Sequence, residues 1–133
     1  MATGTQATVA ELSFVVFKYH PRPGDQVTIG FAAFDATIPP FRIVVMRGDY
    51  WNFVTVLGCE EDARLLGVIM NQFSQRFLNS ARPDHAIREI KRALREEKDI
   101  FELSDFKIAS GPTTGSVVDA LSVAYLDRKE YRA

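Results

Sequence analysis

The apolar residues change their period along the chain. From Leu12 to Tyr19 they are dense and β-branched or aromatic (Phe14, Val15, Val16, Phe17, Tyr19), as in a mostly buried strand. The run stops at His20-Pro21-Arg22-Pro23-Gly24-Asp25, where two prolines withdraw backbone donors and Gly24 can supply a positive φ, so a hairpin loop is expected. In Val27 to Phe34, the residues Val27, Ile29, Phe31 and Ala33 alternate with Thr28, Gly30, Ala32 and Phe34, which predicts a second strand paired with the first. Gly30 and Ala32 on one face leave room for a close neighbour, most simply a packed helix. Ile38-Pro39-Pro40 is another turn, and Phe41 to Met46 is a third strand that completes a meander.

Beyond Gly48 the period lengthens. Trp51, Val54 and Leu57 fall three residues apart and predict a short helix ended by Gly58. Glu60-Glu61-Asp62 then puts three acids where a helix exposes its first N–H groups, and this helix runs to about Leu78. Its stripe of Leu66, Ile69, Met70, Phe73 and Phe77, widened by Leu65 and Val68, makes it the central helix across the sheet, with Gly67 available for close contact. Pro83 suits the first position of the next helix, which extends to about Lys98 and turns Ile87, Ile90, Leu94, Ala86 and Ala93 to the core. Phe101 to Ile108 reads as a fourth strand whose register change between Leu103 and Phe106 signals a bulge. A last helix starts at Ser116, placed as a capping-box residue, and runs through Leu121, Ala124 and Tyr125.

The order β-β-β, helices, β, helix specifies an α+β fold: an antiparallel sheet of about four strands with three to four helices packed on one face, a two-layer sandwich. The alternating βαβ of nucleotide-binding folds is missing. Residues 1–10 are small, polar and aperiodic and read as a flexible tail; residues 11–133 form a single domain, as expected for 133 residues.

Composition narrows the function only a little. Hydrophobic residues make up 47% of the chain and charged ones 25%, which excludes disordered and low-complexity classes. The net charge of −1 gives no overall field for nucleic acid, so charge-based recognition has to be local. One cysteine, Cys59, rules out an intrachain disulfide and fits a reducing compartment, while no apolar run spans a membrane; the expected location is cytoplasmic.

One segment carries a resemblance. Phe17-Lys18-Tyr19-His20-Pro21, followed by Gly24-Asp25-Gln26-Val27-Thr28-Ile29-Gly30-Phe31-Ala32-Ala33-Phe34, resembles a bacterial family of small domains of unknown function whose genes can neighbour genes for HipA-like kinases. That family shows an acidic hairpin and a V-N-I-G-V-V-L-F-like second strand; here Thr28 replaces the usual Asn. The later helix, the Phe101-to-Ser104 strand and the terminal helix keep the family's order. The resemblance implies an accessory protein of a bacterial kinase or stress system and supplies no catalytic residues.

Among the candidate sites, the helix from Pro83 is the most charged. At about 100° per residue, Arg88, Lys91, Arg92, Arg95 and Lys98 share an arc while Glu89 and Glu96 lie opposite, a face suited to an acidic protein or to phosphates. No aromatic residues interleave with these cations, which disfavours single-stranded nucleic acid. The hairpin tip, Arg22 and Asp25, is a second contact surface.

Pro83-Asp84 with Glu89-Ile90-Lys91 spells a restriction-type nuclease signature, but that chemistry needs its acids and lysine converging on a metal from separate elements, not from one helix. Asp105-Phe106-Lys107 is better placed on a strand. His20 and His85 have no metal-ligand spacing, and no metal or cofactor is expected. Cys59 adjoins a helix start and would need His20 or His85 as a base. The Gly111-to-Ser116 loop precedes a helix but lacks a P-loop lysine. Arg47-Gly48-Asp49 spells an integrin tripeptide by chance, and Tyr50, Trp51 and Phe53 beside it cap the core or form an aromatic contact site.

The resulting expectation is a non-catalytic macromolecular-interaction protein of a bacterial or phage system. It binds a protein partner through Arg88, Lys91, Arg92 and Arg95. The alternatives are a small hydrolase or nuclease assembled from Asp105, Lys107, Glu61 and His85, and a nucleic-acid-binding module using the basic helix.

Overall fold

The computed structural model describes residues 10–22, 24–35, 41–95 and 100–126. Its elements in chain order are β1 (Ala10–Tyr19), β2 (Val27–Phe34), β3 (Arg42–Met46), α1 (Tyr50–Leu57), α2 (Glu60–Asn79), α3 (Pro83–Arg95), β4 (Phe101–Leu103), β5 (Lys107–Gly111) and α4 (Thr114–Leu126). The fold is α+β with one antiparallel sheet, as the period changes predict, and β1 to β3 form the expected meander. Ala10, read as tail, is the first residue of β1 and pairs with Gly111. The first nine residues and residues 96–99, over which the basic helix is expected to end at about Lys98, lie outside the described residues.

The sheet has five strands because the segment read as one fourth strand is two. β4 pairs with Phe17 to Tyr19 and β5 with Ala10 to Phe14, so both lie along the same edge of β1. Between them Ser104 to Phe106 leave the ladder, at the point where the sequence changes register. Ser104 repairs the gap: its N–H donates to the Val16 carbonyl (2.9 Å), and its hydroxyl accepts from the Val16 N–H (2.9 Å). A serine side chain thus takes the place of a strand residue.

The helices do not all pack on one face. Val15, Phe17 and Tyr19 of β1 point into a core made with α1, α2 and α3. The alternate residues Leu12, Phe14 and Val16 pack with Val117 and Leu121 of α4. Because successive side chains of a strand point to opposite faces, α4 covers the second face of the sheet and the two-layer expectation becomes three layers. The apolar density of β1 was the sign, since a strand with one wet face alternates with polar residues.

The alternation of β2 is also corrected. The pairing shifts between Phe17/Gly30 and Lys18/Thr28, leaving Ile29 as an extra residue. This bulge puts Ile29 on the same face as Ala32 and Phe34, against α1 to α3, while Phe31 and Ala33 face α4. Gly30 admits a strand and not a helix: a Cβ there would stand 2.5 Å from the Met46 sulfur and 2.7 Å from the Val45 carbonyl oxygen of β3.

Hairpin and helix ends follow local chemistry. Gly24 adopts φ +88°, and the Asp25 N–H closes the turn on the Arg22 carbonyl at 3.0 Å. The five-residue stripe of α2 is buried as read, but Val68 is 57% exposed and Gly67 faces open space, so neither widens the contact. Ala93 of α3 is exposed. At α4 the capping box opens earlier than read: Thr113 Oγ1 accepts from the Ser116 N–H (3.0 Å) and Ser116 Oγ accepts from the Thr113 N–H (3.1 Å).

Candidate functional site

The break between β4 and β5 forms a notch in the sheet edge, and α3 lies beside it. The resulting groove has a volume of about 580 Å³. Its charged lining comes from four elements and the loops next to them. Lys91 and Arg95 reach it from α3, Lys18 from β1 and Lys107 from β5, with His20, Glu102 and Asp105 alongside. Cross-strand partners share a face. Lys18 stands opposite Glu102, and Lys107 opposite Phe14, so both lysines belong to the α4 face, whereas Lys91 and Arg95 come from the other side. The cations therefore meet across the edge of the sheet.

Two carboxylates line this groove, and each is already held. Lys91 Nζ donates to Asp105 Oδ1 at 2.7 Å and reaches the Ser104 carbonyl at 3.4 Å. The hydrogen bond from Lys91, and then its charge, hold the Asp105 carboxyl below the usual carboxylate range. Glu102 Oε1 lies 2.8 Å from His20 Nε2, whose other ring nitrogen faces the Asp25 carbonyl oxygen at 3.2 Å. Among the described residues, Lys18, Arg95 and Lys107 make no ion pair. Leu94, Phe101 and Leu103, all nearly fully buried, form the apolar floor.

The four cations predicted on α3 are divided in their roles. The Arg88 guanidinium lies 5.5 Å from the centre of the Phe106 ring, a cation–π contact with the looped-out segment. Lys91 is tied to Asp105, while Arg92 and Arg95 are exposed and free of ion pairs among the described residues. Lys98 lies outside the described residues. At the hairpin tip Arg22 Nε and Asp25 Oδ2 pair with each other at 3.0 Å, so the second predicted surface is internally compensated. Sequence reasoning missed Lys18 as a site residue. Its signal was a charge in the middle of an otherwise apolar strand, Phe17-Lys18-Tyr19.

The four residues considered for a hydrolytic site do not converge. Asp105 and Lys107 line the groove, but Glu61 lies in the first turn of α2, and His85 lines a separate depression beside Asn79 at the other end of that helix. The helix rise separates Glu61 from Asn79 by about 27 Å. The same length keeps His85 from Cys59, and His20 is engaged by Glu102 and Asp25. Ser104 adjoins Lys91, yet its hydroxyl is committed to Val16 and to its own chain at Asp105, and the residue is buried.

Among the described residues no group of three or more His, Cys, Asp or Glu is placed to hold a metal, and no helix is long and apolar enough to cross a membrane. Arg47 is 4% exposed, bonded to the Thr28 carbonyl and stacked on Phe53, so Arg47-Gly48-Asp49 offers no integrin epitope. Tyr50 and Phe53 pack on the core while Trp51 stays exposed. Compared with models of known protein families, with curated proteins and with solved structures, the chain matches none.

Proposed function

We propose that this protein acts by binding an acidic protein partner along the exposed face of α3 and the adjoining groove, as a non-catalytic accessory or regulatory protein of a bacterial or phage system. The observation carrying this reading is the meeting of Arg95 on α3 with Lys18 and Lys107 in one groove, with Arg88 and Arg92 exposed on the same helix, on a chain of net charge −1. Such a surface speeds encounter with an acidic partner and fixes its orientation. The bacterial setting rests on the resemblance in Phe17 to Phe34. A cytoplasmic location agrees with the exposed free thiol of Cys59.

The test is purification of tagged protein from its native host at low and high salt, with the Arg88→Glu/Arg92→Glu double variant in parallel. A stoichiometric protein that co-elutes with the wild type and is lost from the variant is the expected result. Binding that survives both substitutions removes the α3 face from the reading. Recovery of nucleic acid alone, released by salt, would favour the nucleic-acid module instead.

A further inference from the structure

We infer that the notch between β4 and β5 is a binding site for a phosphoryl group. The inference rests on the reading that this surface binds anions, and it names the group that the groove takes. Lys18, Lys91, Arg95 and Lys107 bring four positive charges to one groove from opposite sides of a sheet edge, against the two carboxylates of Glu102 and Asp105. Asp105 is paired with Lys91 and Glu102 is bonded to His20, so a net surplus of two positive charges is shared among Lys18, Arg95 and Lys107. A row of carboxylates along a partner would spread its charge over the open face of α3. A surplus concentrated in one groove is matched by a compact group with two or more negative charges and several acceptor oxygens, as a phosphoryl group has.

The surroundings strengthen the match. The floor of Leu94, Phe101 and Leu103 excludes water from one side, so the cations are screened less than on a convex surface. A groove of about 580 Å³ is within the usual range for small-ligand sites and has room for more than a single ion. Asp105 shows the chemistry in miniature: a carboxylate oxygen seated on Lys91 at 2.7 Å. An incoming phosphoryl oxygen competes for that ammonium, so Asp105 acts as an internal occupant that the ligand displaces.

The phosphoryl group has two sources, a free phosphate compound or a phosphorylated side chain of the partner. The experiment is titration calorimetry at low ionic strength, with amide NMR shifts, using inorganic pyrophosphate, a phosphoserine peptide and the same peptide with glutamate. Saturable binding of pyrophosphate or of the phosphoserine peptide, with shifts confined to the notch, is expected. Binding of pyrophosphate alone identifies a free compound; a phosphoserine peptide that outcompetes it identifies the side chain.

Lys18→Gln with Lys107→Gln should weaken binding about tenfold or more, and Asp105→Asn should tighten it about threefold, through loss and gain of charge-assisted bonds. Lys107→Gln alone, on an exposed residue, makes the same test if the Lys18 change impairs folding. Absence of binding to both phosphorylated probes overturns the inference, as does equal affinity for the glutamate peptide or indifference to Lys107→Gln. Failure of phosphate binding leaves partner capture through Arg88 and Arg92 untouched, and loss of that capture leaves pyrophosphate binding untouched, so either idea can fail alone.

Discussion

On one face of the sheet, α1, α2 and α3 enclose eighteen buried residues among those described, with Phe17 edge-on to Phe73 and Phe73 stacked on Phe77. On the other face, among the described residues, α4 is the one helix and encloses seven, and only Val117 and Leu121 of that helix are buried. The same strand supplies both cores through alternate side chains, so the difference lies in the number of helices that sequence and loop lengths deliver to each side. The thick face should therefore set global stability, and local opening should begin at the thin face. The basic groove lies at the edge where the two meet.

Truncation on each face gives the largest effects. Phe73→Ala should cost about 3–5 kcal/mol and Leu121→Ala about 2 kcal/mol, because the thin face can collapse around a void more readily. Urea denaturation measures both, and amide exchange should show α4 opening before α2. Equal losses, or protection in α4 matching that in α2, would break the comparison. Ser104→Ala tests the edge between the faces. It strips the buried Val16 N–H of its acceptor and should cost about 1–3 kcal/mol.

Tyr19 sharpens the account of the thick face at alkaline pH. Burial first, then the 2.6 Å hydrogen bond to Asp62, raises its hydroxyl pKa well above the usual value. A raised folded-state pKa contributes stability that is fully present below the unfolded value, about 10, and is lost as pH rises through the folded one. The protein should therefore lose stability from about pH 10 upward, and Tyr19→Phe should remove that slope while costing about 1 kcal/mol at neutral pH. An unchanged alkaline transition in Tyr19→Phe would assign it to another group.

Most of this architecture was legible from period alone. The β-rich start, the proline-bounded hairpin, the stripe of α2 and Pro83 opening α3 each express a local rule, and the structure keeps them. The placement of α4 was not legible, because a helix whose sequence is apolar nearly all round, TGSVVDALSVAYL, does not say which face it will cover. The bulge at Ile29 escaped because one extra residue reverses the faces of a strand without altering its composition. The candidate site was half legible. The α3 cations share a helical arc and could be grouped, whereas Lys18 and Lys107 join them only through pairings between residues far apart in the chain.

The smallest expected effect concerns two glycines, one just before α2 and one inside it. A Cβ at Gly58 would collide with the Tyr19 hydroxyl and come within 3.1 Å of the Asp62 carboxylate, so Gly58→Ala must displace the hydrogen bond that anchors α2 to β1. Gly67 lies inside α2 with nothing within 4 Å of the added methyl. There alanine only removes the entropic penalty of glycine in a helix and should stabilise the protein by about 0.5–1 kcal/mol. Thermal denaturation of the two variants should shift in opposite directions. A loss of stability in Gly67→Ala would mean that the outer surface of α2 is packed against something, and the thick face would then extend beyond the three helices described.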